Sequence, residues 1–342
     1  MVERISSQED RLHISIGAVC NNNCVFCMEE DREGRYVNNS AMTPERVRWM
    51  LEEHRGAEEV CFTSGEPTTR NELPDFVAWA KELGFRRISV MTNGRRLSHL
   101  PYAALLAKSG MNRFYVSIHG HTQKLHEGLT RTPGSFDQTV AGLDAITRLK
   151  RFGVDLHTST VVTERNLPHL LPIYRFLRAH GVDQVVFNVM QANGRADTYF
   201  EQMFPTYTAI ADQFRAFLRE VGEPRPMAFL VDIPLCTTEG IGDFHRGYVE
   251  KHAHYEISER GLLEGVDRPA RSAEGRGKGL VMLTRDDLDR ARRTKRDACA
   301  TCKYDGVCEG VWMNYSRRYG WDEMIPVPGS DAAARPLASN EG

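Results

Sequence analysis

The chain has 342 residues, enough for one large core or a large core with a small satellite, and its apolar and charged fractions of 41% and 26% are ordinary for a globular protein. A net charge of −2 with no long block of one sign argues against broad electrostatic attraction to nucleic acid, and no apolar run approaches the ~20 residues of a membrane span. Residues 1–10 are polar and lack the apolar core of a signal peptide, so the eight cysteines are read as reduced thiols in the cytoplasm, available for metal.

Short apolar runs alternate with helical patterns at intervals of roughly 25 to 35 residues, the rhythm of βα units and a parallel sheet. The first predicted strand covers residues 12–19. A helix then opens at Thr43 with Pro44 in its first turn, and Val47, Met50, Leu51 and His54 recur at helical spacing. Strand two, 60–63, ends in Ser64-Gly65-Glu66-Pro67; the helix after it carries Leu73, Phe76, Val77, Ala80 and Leu83 on one face, with Gly84 as C-cap. Strand three, 87–91, ends in Thr92-Asn93-Gly94 and leads to a helix over 102–109. Strand four, 114–118, runs into His119-Gly120 and a helix over 135–151. Strand five (155–162), a helix (167–180), strand six (184–190) and a helix (207–221) complete six βα units before residue 222. Every unusual loop follows the C-terminal end of its strand, where parallel sheets and barrels bind ligands. A doubly wound sheet is the architectural alternative, although no Rossmann glycine fingerprint or Walker loop occurs. Beyond 222, Pro224, Pro226 and Pro234 break regular structure, and the charged, glycine-rich stretch 239–296 loses the rhythm.

Two cysteine sets carry the chemistry. Cys20, Cys24 and Cys27 place three thiols within eight residues after the first strand. Structural zinc sites close with four ligands and iron–sulfur cages normally with four cysteines, so a local trio leaves one metal position for something else; a zinc site with a distant fourth ligand is the competing reading. The second set is Cys299, Cys302 and Cys308, with Cys236 upstream, read as one four-thiolate site for iron–sulfur or zinc. Cys61 lies inside strand two and reads as a buried small hydrophobe. His245, His252 and His254 read as surface residues, while His119 and His121, at the mouth of strand four, are candidates to meet substrate.

The CxxxCxxC trio with Phe26 before its last cysteine resembles the radical S-adenosylmethionine (radical SAM) superfamily, over roughly residues 12–221. The resemblance implies an α/β fold, a partial (β/α)6 TIM-like barrel over 1–222, with a small C-terminal extension over 223–325 and a flexible tail over 326–342. It implies a [4Fe–4S] cluster on Cys20, Cys24 and Cys27, with S-adenosylmethionine chelating the fourth iron and Phe26 near the adenine. Ser64-Gly65-Glu66 resembles the family's GGE element, with Ser in place of the first Gly; Gly65 lets the backbone approach the methionine ammonium and Glu66 accepts from it. Thr92 and Asn93 correspond to contacts with the methionine part or ribose, Ser117 and Thr158 to ribose or carboxylate contacts, and Met190 to an apolar adenine contact. The second cysteine set resembles the SPASM or Twitch auxiliary-cluster extensions, in the shorter form with one [4Fe–4S] cluster on Cys236, Cys299, Cys302 and Cys308.

The activity so implied is reductive cleavage of S-adenosylmethionine to a 5′-deoxyadenosyl radical, which takes hydrogen from a substrate C–H. The auxiliary cluster would oxidise a product radical or anchor substrate. A reductant of flavodoxin or ferredoxin type is the implied partner, and the substrate is a peptide or a small molecule. Only about eleven residues precede the barrel, so peptide recognition is expected to need a separate protein. A non-catalytic iron–sulfur electron carrier or metal-stapled binding protein would also explain both cysteine sets, but not the Gly65-Glu66-Pro67 and Thr92-Asn93-Gly94 turns at the ends of consecutive strands.

Overall fold

Seven strands run parallel and neighbour one another in chain order: β1 (Asp10–Ser15), β2 (Glu59–Thr63), β3 (Arg87–Thr92), β4 (Arg113–Ser117), β5 (Asp155–Val162), β6 (Gln184–Val189) and β7 (Ala228–Val231). A doubly wound sheet reverses its strand order at a switch point; this one does not, and the α/β fold is that of a partial barrel. The computed structural model describes residues 10–17, 19–27, 42–191, 194–223, 226–241, 293–306, 308 and 310–329, with the backbone of 253–258 and 281–284. Outside β1, β8 (Ala253–Ser258) adds in parallel and β9 (Val281–Thr284) antiparallel to it. The sheet therefore continues past residue 222, where the sequence reading ended the barrel; Pro226 precedes β7 and does not interrupt it. His245, His252 and most of 239–296 lie outside the described residues.

The crossovers are helical: α1 (Pro44–Glu53), α2 (Leu73–Glu82), α3 (Leu100–Ser109), α4 (Gln123–Thr130), α5 (Ser135–Leu149), α6 (Leu170–Ala179), the single turns α7 (Arg195–Thr198) and α8 (Phe200–Met203), and α9 (Tyr207–Val221). Thr43 caps α1 by accepting from the Arg46 N–H, with Pro44 in the first turn, as its sequence requires. Near the C-terminus β10 (Arg293–Thr294) pairs antiparallel with β11 (Val311–Trp312), which leads into α10 (Met313–Tyr319). No described helix is long and apolar enough to cross a membrane.

Ring contacts identify the two faces of the sheet. Phe62 meets Phe76 of α2 at 6.2 Å between centroids, and Phe187 meets Phe214 and Phe217 of α9 at 6.2 and 5.8 Å. Val90, Phe114, Leu156 and Thr160 stand in register with these residues, so they and Thr158, two positions from Thr160, are turned toward the helices; all are fully buried. The opposite face is the barrel interior. At its N-terminal end an ionic network fills it: the Glu59 carboxylate forms an ion pair with Arg11, 3.0 Å from Nε, and accepts from Ser89 Oγ at 2.6 Å, Tyr115 OH at 3.3 Å and Arg113 Nη1 at 3.4 Å. Arg113 also pairs with Asp155 at 2.8 Å, and Arg11 donates to the Tyr115 hydroxyl. Removing one member of a buried charge network strands the others without solvent. Glu59→Ala should therefore cost about 3–5 kcal/mol, seen as a lower urea midpoint at unchanged slope; a loss below about 1 kcal/mol would mean that water reaches Arg11 and Arg113.

Candidate active site at the mouth of the barrel

The loop that leaves β1 is held by its backbone. Val25 N donates to Leu129 O and Asn23 N to Thr130 O, both at 3.0 Å, which fastens it to the last turn of α4. Glu66 N donates to Val19 O at 2.8 Å, which fastens it to the turn after β2. Two arginines hold its carbonyl side. Arg95 Nη1 donates to Asn21 O and, at 3.0 Å, to Asn22 Oδ1. Arg195 Nη1 donates to Asn23 O at 3.1 Å, Asn23 Oδ1 at 2.7 Å and Cys24 O at 2.8 Å, while Arg195 N donates to Cys27 O at 3.0 Å.

The loop presents Cys20, Cys24 and Cys27, each half-buried and free of disulfide. Burial, and then the neighbouring Cys20 and Cys27, push the Cys24 thiol far above the usual range, with Arg195 opposing the shift. A thiol placed in this way resists ionising, and a bound cation that takes it as thiolate offsets that cost. Among the described residues no three His, Cys, Asp or Glu side chains stand close enough to share a metal ion, so ligation would draw the trio together.

The turn after β2 contains two successive left-handed residues, Ser64 at φ 73° and Gly65 at φ 56°. A serine held there carries roughly 1–2 kcal/mol of backbone strain, which persists only where the surroundings impose it. Glu66 follows, 2% exposed. Its carboxylate accepts from Thr68 N at 3.1 Å, Thr68 Oγ1 at 2.6 Å, Thr92 Oγ1 at 2.6 Å and Asn93 N at 2.6 Å. Burial raises its pKa against the pull of these donors. Glu66 and Thr92 thus brace two adjacent loops against each other, a role that the resemblance did not give them. Asn93 extends the brace by donating from Nδ2 to Asn21 Oδ1 at 2.6 Å, within the cysteine loop. Gly94 turns at φ 75°, and a Cβ on Gly142 of α5 would stand 2.3 Å from its carbonyl oxygen, so the helix packs directly on this turn.

Phe26 is nearly buried and meets the His119 ring edge-on at 4.6 Å; His119 in turn stacks on His126 at 5.8 Å. His119 Nδ1 accepts from Val161 N at 3.2 Å, and burial holds its pKa well below the usual value. The imidazole is therefore neutral with its proton on Nε2. Helix α4, which carries His126, is absent from the sequence reading, although Thr122 supplies its cap by accepting from Leu125 N.

On the interior face Ser117 stands in register with Ser159, whose Oγ accepts from Asn188 Nδ2. Met190 lies buried just past β6, two residues beyond Asn188. Thr158 is not part of this group. It faces the helices, fully buried, with its hydroxyl unpartnered among the described residues. Strand β5 carries hydroxyls on both faces (Thr158 and Thr160 on one, Ser159 on the other), so residue type alone does not decide which faces inward; the register turns Ser159 and Asn188 to the interior beside Ser117. Cys61 is buried, and burial pushes its thiol up to about 12, in keeping with a packing role.

Cys236, Cys299, Cys302 and Cys308 line one cavity together with Pro234, Gly310, Met324 and Pro326. Burial, then Cys308, Cys302 and Cys299, push the Cys236 thiol up to about 12. Backbone N–H groups of Gly310 and Val327 donate to Cys308 Sγ and Cys302 Sγ, each at 3.4 Å.

The family model described as Radical SAM superfamily matches residues 14–189. Proteins described as probable GTP 3′,8-cyclase are similar: that of Saccharolobus islandicus (strain M.14.25) is 29% identical over 187 residues, 54% of this chain and 58% of the relative. That of Sulfurisphaera tokodaii is 28% identical over 204 residues, 59% and 62% of the two chains. The chain thus spans little more than half the length of the curated relatives it matches. Among solved structures, Streptococcus suis SuiB bound to precursor peptide SuiA has a TM-score of 0.65 at 18% identity, covering 91% of this chain and 73% of SuiB. SuiB bound to S-adenosylmethionine has 0.63 at 17%, covering 90% and 74%. A family model that takes in more than half of the residues, laid over a barrel whose cysteine loop sits at the mouth, shows that the chain belongs to the radical SAM superfamily.

Proposed function

We propose that the chain is a radical SAM enzyme acting on a C–H bond of a peptide, with one iron–sulfur cluster on Cys20, Cys24 and Cys27 and a second on Cys236, Cys299, Cys302 and Cys308. The observation that supports the peptide reading is the fold similarity, over 91% of this chain, to SuiB bound to its precursor peptide, together with the second cysteine set. A purine nucleoside triphosphate is the second reading, on the strength of those relatives' description.

When bound, S-adenosylmethionine at a reduced cluster supplies the one-electron chemistry that activates the C–H bond. The chain's own part is placement. Cys20, Cys24 and Cys27 hold the metal; Arg95 and Arg195 hold the loop that carries them. The left-handed Ser64-Gly65 turn brings backbone polar groups to the ammonium, while Glu66 and Thr92 keep that turn in place. Phe26, with His119 behind it, and Met190 form apolar walls for the adenine. Ser117, Ser159 and Asn188 offer hydrogen bonds to ribose hydroxyls or carboxylate. The sealed polar floor at Glu59 keeps bulk water from entering below.

Replacing Cys20, Cys24 and Cys27 together by Ala should abolish 5′-deoxyadenosine formation while leaving about four irons per chain at the second site; retained product formation would remove the first assignment. Asn188→Ala should weaken S-adenosylmethionine binding about tenfold, the worth of one lost hydrogen bond, and Thr158→Val should leave it unchanged; calorimetric titration would reveal the reverse order if the interior face is misassigned. Iron, sulfide and zinc analysis of that triple variant, with and without Cys236→Ala, decides the second site: iron and sulfide in near-equal amounts support a cluster, stoichiometric zinc a structural staple. Formation of 5′-deoxyadenosine with GTP and not with a precursor peptide encoded beside the gene would favour the second reading.

A further inference from the structure

Helix α7 touches the cysteine loop at one residue and the C-terminal helix at another. Arg195 reaches back 172 residues in sequence to make three bonds from Nη1 and one from its backbone to the Asn23–Cys27 segment. All of its acceptors are neutral oxygens; among the described residues no carboxylate pairs with it. A half-buried guanidinium, bonded only to neutral oxygens among the described residues, thus stands against the Cys24 backbone. Two residues on, Asp197 accepts from Arg318 Nη1 at 2.7 Å and Asn314 Nδ2 at 3.1 Å, both on α10. Arg318 also lies over the Phe200 ring at 4.6 Å. Helix α10 continues from β11, which begins three residues after Cys308. The chain leaving the second cysteine set therefore leads into α10, whose contacts with α7 connect it to the loop of the first.

Building on the proposal that Cys20, Cys24 and Cys27 hold an iron–sulfur cluster, we propose that Arg195 is a positioning residue that fixes their loop and sets that cluster's reduction potential, and that Asp197 makes the setting depend on docking of α10. Reduction adds a negative charge to the cluster, so a nearby uncompensated cation stabilises the reduced form and raises the potential. Arg318 neutralises Asp197; without that partner a free carboxylate near the loop acts in the opposite direction.

The test is a redox titration of the full-length, anaerobically prepared protein, followed through the paramagnetic signal that changes when S-adenosylmethionine is added. Arg195→Gln should lower the midpoint potential with iron retained, Arg195→Lys should restore it toward wild type, and Arg318→Gln should lower it by a smaller amount. An Arg195→Gln protein that keeps its iron and the wild-type midpoint overturns the inference, because a residue that only braced the loop would move stability and not potential. If Arg195→Gln does not fold, Arg318→Gln at the surface decides, and an unchanged midpoint there overturns the link to α10. A wild-type protein with no S-adenosylmethionine-sensitive iron signal would instead defeat the cluster assignment on which the inference rests.

Discussion

One buried carboxylate ties the mouth of this barrel together. Glu66 belongs to the loop after β2, yet two of its four donors come from the end of β3, and its backbone N–H reaches the loop after β1. Three consecutive βα loops therefore share one anchor. A carboxylate at 2% exposure is tolerable only when its oxygens are satisfied. That requirement works in both directions: the loops keep the carboxylate supplied, and the carboxylate keeps the loops at a fixed separation. The strained Ser64 backbone beside it is held in place by the same contacts.

The cysteine loop shows a second division of labour. Most of its backbone groups are taken up by α4, Arg95 and Arg195, and Asn22 N donates to Cys20 Sγ at 3.4 Å, so its shape is set chiefly by hydrogen bonds to groups outside the cysteines. The three thiols are thereby crowded in a half-buried place where the central one resists ionisation. A cation that took this thiol as thiolate would offset the cost of charging it.

The parts of this site that were legible in sequence are local. CxxxCxxC, Ser64-Gly65-Glu66 and Thr92-Asn93-Gly94 each fall within a few residues at a strand end, and the alternation of strands and helices placed them on one rim. The parts that were not legible depend on distance or on facing. Arg195 acts across 172 residues. Arg11, Glu59 and Arg113 look like charged strand ends until the register brings them together. Thr158 and Ser159 are equivalent by residue type, and only the ring contacts of Phe187 with α9 decide which one looks inward. Helix α4 is short, and its pattern of His126 and Leu129 is too brief to stand out.

The ionic floor at the N-terminal end of the strands makes the barrel a cup. Arg11, Glu59, Ser89, Arg113 and Tyr115 are all at 9% exposure or less, so among the described residues the starts of β1–β4 close the interior from beneath. A molecule held in the interior above this floor would lie against the loops that follow β1, β2 and β3, the same three that Glu66 ties together.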